Sequence, residues 1–294
     1  MYNPFIAEEN EVAHDNELIC QSISGDKEAM SRLIRRHQAW IYNIALRMVL
    51  VAQNAEDVTQ EILVKMITKL STYDSTKASF RTWLYRIIKN HVINMQKTEY
   101  EKSITTLDEY YSFIETTPDG EAEDTPEMKM IVEDLAIGCT MGVLLCLERQ
   151  QRLVFILGVV FDVDSEQGGE IMDMSAEAFR KTLSRAREKL YNFMNGKCGL
   201  VNENAPCKCR NKVCEFIRQG WYKIDNLQFY KENTALVSEL VSEKMDGFKD
   251  IYSDFIRLYR NHPFYDPPDL TEWLKETLEK DEFKNIFGLN QGEL

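Results

Sequence analysis

The sequence predicts an all-α protein with two small helical domains, an acidic linker between them and a mainly helical C-terminal extension. Apolar residues recur at spacings of three and four through residues 27–97 and 128–194, which is the period of amphipathic helices. Capping residues and polar turn formers separate these segments. A chain of 294 residues is long enough for two or three small domains. We therefore predict helical domains at residues 17–97 and 128–195.

The charge of the chain is unevenly distributed. The formal net charge is −13, and a uniformly negative protein would repel nucleic acid. Residues 80–97, however, carry four basic residues and no acidic one, and residues 175–212 carry nine basic residues against three acidic ones. Residues 99–127 carry ten acidic residues and one lysine. Each of the two basic segments is therefore a candidate for binding nucleic acid.

Hydropathy predicts a cytoplasmic protein without membrane insertion. No apolar run approaches the roughly 20 residues that span a bilayer, and residues 1–17 contain no apolar stretch of the signal-peptide type. In a reducing compartment the seven cysteines are expected as thiols or metal ligands rather than as disulfides.

Three amphipathic helices are predicted in the first domain, after a short helix at residues 17–25. They cover residues 27–51, which follow the capping residue Asp26, then residues 55–70, and then residues 80–97, which follow a polar loop. Four arginines are expected on the outside of the first helix, namely Arg32, Arg35, Arg36 and Arg47. The predicted buried sides consist of Leu33, His37, Trp40, Ile41, Ile44, Met48, Val58, Ile62, Leu63, Met66, Leu70, Phe80, Leu84, Ile87, Ile88 and His91.

A helix-turn-helix is predicted at residues 165–193 of the second domain. A short helix ends at the polar break Asp173-Met174, and Ser175 is a good N-cap for a basic amphipathic helix at 175–193. Gly168 is expected to weaken the short helix by about 1 kcal/mol relative to alanine. Residues 98–127 are predicted as a flexible acidic linker that precedes this domain.

A cysteine-rich connector at residues 196–214 contains Cys198, Cys207, Cys209 and Cys214. Clustered thiols suggest a tetrahedral thiolate zinc site. The spacing C-x8-C-x-C-x4-C is not one of the common zinc patterns, and no histidine lies nearby. Reduced thiols without metal and a redox-sensitive cluster therefore stay open as alternatives, and no cofactor is required by the rest of the chain.

The C-terminal extension, residues 215–294, carries 16 acidic and 10 basic residues and is predicted to be mainly helical. Residues 236–259 show a long apolar stripe, Thr271 is expected to open a last helix, and residues 221–230 fit a hairpin or a helix equally well. Because the extension is acidic and residues 175–212 are basic, one hypothesis is a regulatory lid over helix 175–193. A packing module is the alternative.

The order of the segments carries a family resemblance. The first domain reads RLIRRHQAWIYNIALRMV, AEDVTQEILVKMITKL and FRTWLYRIIKNHVINMQK, and the second reads LERQQRLVFILG, a degenerate helix-turn-helix and SRAREKL. The chain thereby resembles bacterial RNA polymerase sigma factors of the extracytoplasmic-function (ECF) group, over residues 26–96 and 147–194. The pair AEDVTQE and FRTWLYRIIKN is the most specific part. A typical member ends near residue 195, so the connector and the extension are additional.

The resemblance implies a transcription initiation factor that performs no bond chemistry. It implies core RNA polymerase and promoter DNA as partners, and it leaves an anti-sigma factor open as a further partner. Implied contacts with the polymerase clamp are Asp57, Gln60 and Glu61. Implied contacts with the −10 promoter element are Arg81, Trp83, Arg86, Lys89 and Asn90, on helix 80–97. Implied contacts with the −35 element are Ser175, Glu177, Arg180, Lys181, Ser184 and Arg185, on helix 175–193.

Two other classes of function compete with this one. A helix-turn-helix regulator that binds duplex DNA without polymerase would leave the helices at 27–97 without a role. An enzyme is not expected, because the four histidines are scattered and no phosphate-binding glycine-rich loop is present.

Overall fold

Helices make up the regular structure of the residues that the computed structural model describes, which are 9–103, 106–220, 222, 224, 227–229 and 251–279. The predicted all-α fold is confirmed. The helices are α1 (Glu9–Ile23), α2 (Lys27–Val49), α3 (Ala52–Lys69), α4 (Phe80–Asn94), α5 (Glu99–Ser103), α6 (Leu107–Thr116), α7 (Pro126–Val143), α8 (Arg149–Phe155), α9 (Ser165–Met172), α10 (Ala176–Lys197), α11 (Cys209–Arg218), α12 (Ile251–Arg260) and α13 (Thr271–Glu279). Short 3₁₀ turns follow α3 and α7, and a π-helical turn, Ile156–Val160, continues α8.

Helices α1–α4 form the N-terminal bundle, and local sequence explains their limits. Asp26 accepts hydrogen bonds from the backbone N–H groups of Glu28 and Ala29 and so caps α2. Ser79 caps α4 in the same way, through the N–H of Thr82. The predicted buried sides of α2, α3 and α4 are confirmed, except that Ile87 is only half-buried. Helix α1 begins at Glu9 rather than at residue 17, and α4 ends at Asn94.

The acidic linker contains regular structure. Helices α5 and α6 lie within it, and its last part pairs with α11, where Gly120 N–H donates to the carbonyl of Asn211 at 2.7 Å. Lys212 Nζ lies 3.0 Å from a carboxylate oxygen of Asp119, and Arg210 Nη1 lies 3.2 Å from Asp124. Two carboxylates of the linker thus pair with basic residues of the connector. The predicted domain boundaries themselves stay predictions.

The helix-turn-helix forms from α9 and α10, with Asp173 in the left-handed region at the turn (φ 53°) and Ser175 as the N-cap of α10. Gly168 has a role that the helix-propensity argument missed. A Cβ at this position would lie 2.4 Å from the ring of Phe179, so the glycine lets α9 and α10 approach closely. The predicted weakness of α9 is therefore compensated by packing.

The described part of the extension packs onto both preceding domains. Asn43 of α2 and Tyr265 exchange two hydrogen bonds, of 2.6 and 3.0 Å, and Arg47 donates to the carbonyl of Pro263 at 3.1 Å. Arg47 is therefore fully buried, and its expected place on the outside of α2 is wrong. On the other side, Phe255 and Tyr259 of α12 pack against Phe155 of α8. The predicted start of the last helix at Thr271 is confirmed. The lid over helix 175–193 stays a hypothesis, because residues 230–250 and 280–294 lie outside the described residues.

Arg152 connects three parts of the chain. Its Nη1 donates to the carbonyl of Met48 at 2.5 Å and to Glu101 at 3.0 Å, and its Nε donates to the carbonyl of Leu144 at 3.0 Å. Arg149 completes the arrangement by contacting the second carboxylate oxygen of Glu101 at 2.7 Å. The Arg152 and Glu101 side chains are only 2% and 1% exposed. Burial raises the pKa of Glu101, but the two arginines outweigh burial and hold the pKa below its usual value.

None of the helices in the described ranges is both long and apolar enough to cross a membrane.

We predict that Glu101→Gln lowers the free energy of unfolding by about 3 kcal/mol at pH 7, because it leaves two buried guanidinium groups without their counter-charge. Denaturant unfolding of the full chain measures this. The depressed pKa of Glu101 stabilises the fold above the unfolded-state pKa, near 4.5, so the difference should shrink as pH falls below that value.

Glu99→Gln is the matched control, since this glutamate belongs to the same helix but is 90% exposed. Its effect should stay within about 0.5 kcal/mol. Equal destabilisation by the two substitutions would contradict the structural role of the buried pair.

Candidate nucleic-acid and partner interfaces

A polar cleft of about 580 Å³ lies between α3 and α4. Asp57 and Glu61 are exposed along its α3 side, and Asn90 lies on its α4 side. Gln60 is half-buried beside them and does not line the cleft. The structure thus brings together two of the three residues implied in polymerase binding, and it adds Asn90, which the resemblance implied in DNA binding.

Lys65 and His91 contact each other in this cleft, beside the carboxylate of Glu61. Lys65 Nζ lies 2.5 Å from His91 Nδ1, and His91 Nε2 lies 3.6 Å from Glu61. Burial and the charge of Lys65 lower the pKa of His91, which keeps the imidazole neutral at pH 7. Its Nδ1 then accepts a hydrogen bond from Lys65, which lines the same cleft as the acidic residues Asp57 and Glu61.

The predicted DNA-facing side of α4 contacts α9. Lys89 Nζ lies 2.5 Å from a carboxylate oxygen of Asp173, and Arg86 Nη2 lies 3.3 Å from Glu170. Arg86 Nε also donates to the backbone carbonyl of Glu170 at 3.1 Å. Both cations therefore have anionic partners from the helix-turn-helix, which the spacing of residues along the sequence did not reveal.

Trp83 belongs to an aromatic cluster at the start of α4. Its ring stacks on Phe80 with centroids 5.5 Å apart and an interplanar angle of 28°, and Tyr73 lies 5.7 Å away. Trp83 is half-buried, so one part of the indole packs on the bundle and another part reaches solvent. This arrangement suits a ring that stacks on an unpaired base.

Arg81 is not available to DNA in this arrangement. Its side chain is buried, and its Nε lies 3.4 Å from Asp15 of α1. Arg36 and His37 contact the same carboxylate, at 2.7 and 3.4 Å. Burial raises the pKa of Asp15, but hydrogen bonds from His37 and Arg36 outweigh it and lower the pKa to about 2. Arg81 therefore links α4 to α1 in this structure, and its implied DNA contact stays a prediction.

The outer side of α10 carries the other basic surface. Arg180 Nη1 donates to Ser165 at 2.9 Å, Lys181 pairs with Glu177 at 2.7 Å, and all four side chains are at least partly accessible. Ser175 accepts from the N–H of Ala178 and so acts as the cap of the helix. The residues on this side are exposed, namely Ser175, Glu177, Arg180, Lys181, Ser184 and Arg185. All six implied −35 contacts are thus accessible to solvent.

The cysteines of the connector do not form the predicted four-thiol site. Cys198 and Cys207 adjoin through backbone hydrogen bonds, and Cys209 begins α11. Cys214 instead donates its thiol to the carbonyl of Glu121 at 3.4 Å. Burial raises the pKa of Cys209, and the neighbouring thiols of Cys198, Cys139 and Cys207 raise it further, so that Cys139 of α7 takes the place of Cys214 in this group.

Across the described residues, no group of three or more His, Cys, Asp or Glu side chains has an arrangement that would hold a metal ion. The zinc set Cys198, Cys207, Cys209 and Cys214 is corrected accordingly, since α11 directs its last cysteine toward the linker.

We predict slow alkylation of the clustered thiols. Burial raises the pKa of Cys139 to about 12 and that of Cys207 to about 11, so little thiolate is present at pH 7.5. Time-resolved mass spectrometry after iodoacetamide treatment should show both reacting about tenfold or more slowly than the exposed Cys20. In denaturant all three should react alike. Equal rates in the native protein would contradict the burial of the cluster.

Residues 33–100, which include most of α2 together with α3 and α4, match the family model for sigma-70 region 2. Among curated proteins, the ECF RNA polymerase sigma factor SigE of Mycolicibacterium smegmatis is 25% identical over 175 residues, which cover 58% of this chain and 65% of SigE. The chain thus spans just under two thirds of the length of SigE. The RNA polymerase sigma-H factor of Pseudomonas aeruginosa is 27% identical over 60% of this chain and 91% of its own length.

The chain is similar to two further proteins. The ECF RNA polymerase sigma factor SigW of Bacillus subtilis is 24% identical over 58% of this chain and 92% of its own length. A solved structure of CnrH in complex with the cytosolic domain of CnrY matches 62% of this chain and 97% of that chain, at 20% identity and a TM-score of 0.44. Residues 33–100 are thus a sigma-70 region 2 domain, and the chain is a homologue of the ECF RNA polymerase sigma factors.

Proposed function

We propose that the chain is a transcription initiation factor that binds core RNA polymerase through the α3 side of its N-terminal bundle and directs the enzyme to promoters. The observation that carries this proposal is the cleft between α3 and α4, which lies within the region 2 match and exposes Asp57 and Glu61 at its edge. An exposed acidic pair beside a polar cleft is suited to a basic helical partner, because charge complementarity orients the encounter and sets the register. Gln60 borders the same surface.

Two elements of the chain would contact promoter DNA. On α4, Arg86 and Lys89 would track phosphates of the −10 element, and Trp83 would stack on an unpaired base. On α10, Arg180, Lys181 and Arg185 would enter the major groove of the −35 element with the neighbouring polar residues Ser175, Glu177 and Ser184. Asn90 is assigned to the −10 contact as well, at the border between the cleft and α4. An anti-sigma factor stays open as a further partner.

A helix-turn-helix regulator that binds duplex DNA without polymerase is the second candidate function. It is less favoured, because the family match lies in α2–α4 rather than in the helix-turn-helix.

Charge reversal on α3 tests the proposal. We predict that Asp57→Arg/Glu61→Arg lowers the affinity of the full chain for core polymerase at least about tenfold, which corresponds to about 1.4 kcal/mol. The physical reason is that two attractive contacts with a basic partner become repulsive. Fluorescence anisotropy of a labelled chain titrated with core polymerase measures the affinity.

Glu17→Arg/Glu28→Arg is the matched control, because it makes the same change of net charge at exposed positions of α1 and α2 that do not line the cleft. It should leave the affinity within about twofold of wild type. If the wild-type chain does not bind, or if both double variants bind equally well, the proposed docking surface is wrong.

A further inference from the structure

We propose that the C-terminal end of α9 is an internal anionic mask for the nucleic-acid surface of α4, and that DNA must displace it. This inference rests on the proposed function, since it concerns the DNA contacts assigned to α4. It identifies a competitor for those contacts within the chain itself, formed by Glu170 and Asp173.

The contact has the chemical character of a phosphate site. Asp173 offers a carboxylate to Lys89 at 2.5 Å and to Arg86 at 3.9 Å. Glu170 offers its carboxylate at 3.3 Å and its backbone carbonyl at 3.1 Å to Arg86. Carboxylates that accept charge-assisted hydrogen bonds from arginine and lysine occupy the donors that would otherwise reach phosphate oxygens.

Helix geometry adds to this negative character. The last carbonyls of an α-helix have no partner within the helix, and the helix dipole makes this end partly negative. Helix α9 ends at Met172, and Asp173 follows in the left-handed conformation. The end of α9 thus presents two carboxylates and the backbone carbonyl of Glu170, which accepts a hydrogen bond from Arg86.

The ion pairs between α4 and α9 are partly shielded from solvent but still accessible to a competing polyanion. The Lys89 side chain is only 11% exposed, which limits solvent screening around it. Arg86, Glu170 and Asp173 are 37%, 45% and 61% exposed, so the contact as a whole stays accessible to a competing polyanion. Partly exposed ion pairs are modest in strength and sensitive to salt.

The extension stabilises the arrangement in which the mask forms. Arg260 of α12 donates to the carbonyl of Val159 at 3.3 Å and pairs with Asp162, both in the segment that leads into α9. A few residues later, Pro263 and Tyr265 are held by Arg47 and Asn43 of α2. The extension therefore fastens the helix-turn-helix to the bundle that contains α4, a role distinct from a lid over α10.

A zero-length carbodiimide crosslink tests the mask in the full chain. Activation of the Asp173 carboxylate should yield an amide with Lys89 Nζ, which mass spectrometry of tryptic peptides detects. Addition of a single-stranded oligonucleotide should lower the yield of this crosslink at least about fivefold, because the lysine is then occupied by phosphates. Absence of the crosslink in the free protein, or a yield unchanged by saturating oligonucleotide, would overturn the proposal.

Neutralisation of the mask provides the second measurement. Glu170→Gln/Asp173→Asn should raise the affinity for the same oligonucleotide roughly five- to tenfold, which is the scale expected for releasing Arg86 and Lys89 from three partly exposed ion pairs. Asparagine is chosen because it tolerates the left-handed backbone at position 173. Thermal unfolding of the variant is compared with wild type, so that a folding defect is recognised; the crosslink test does not depend on the variant.

Glu188→Gln/Glu203→Gln is the matched control, with the same change of net charge at two exposed positions away from α4. Its effect should be less than twofold, and equal gains for the two variants would show a general charge effect and overturn the mask. Failure of the proposed function shows separately, as loss of binding to core polymerase by the wild-type chain. A mask that is confirmed while the polymerase does not bind would indicate an autoinhibited DNA-binding protein of another kind.

Discussion

The buried ion pair of Arg152 and Glu101 is the interaction on which the arrangement of this chain depends. An isolated charge in a protein interior is costly, so each guanidinium hydrogen needs an acceptor. Arg152 finds them in Glu101 of the linker and in carbonyls that end α2 and follow α7. The end of α2, the segment after α7 and the linker must therefore meet at Arg152 for all of its hydrogen bonds to form. The linker is consequently held to the helical domains by a buried ion pair instead of acting as a simple tether.

This meeting point explains why the candidate surfaces lie where they do. Fixing the end of α2 against α8 brings α4 alongside α9, and the basic side of α4 then faces the acidic end of α9. The cleft between α3 and α4 and the outer side of α10 remain accessible. In this state the chain exposes the proposed polymerase surface while one of its two proposed DNA surfaces is occupied. Docking of the polymerase on the proposed surface would therefore not require release of α4.

Local chemistry predicted much of the fold. Periodicity identified α2, α3, α4 and α10, and the capping residues Asp26, Ser79 and Ser175 explain where helices begin. Pairings between distant positions could not be predicted in this way, because a single sequence carries no signal that links Arg81 to Asp15 or Lys89 to Asp173. Gly168 is a second case in which the sequence alone is insufficient. Its low helix propensity argues against α9, and only the nearby ring of Phe179 explains why a glycine occupies this position. The predicted group of four thiols also failed to form, because proximity in sequence does not fix the direction of a side chain. The thiol of Cys214 donates to the carbonyl of Glu121 instead.

Reconstituted transcription tests whether the chain directs core RNA polymerase to promoters. Core RNA polymerase and the full chain are incubated with sheared genomic DNA, and the 5′ ends of the transcripts are sequenced. We expect a limited set of start sites that require the chain, share sequence elements near −10 and −35, and are lost with Asp57→Arg/Glu61→Arg. Transcripts whose positions and amounts are the same with and without the chain would contradict this expectation.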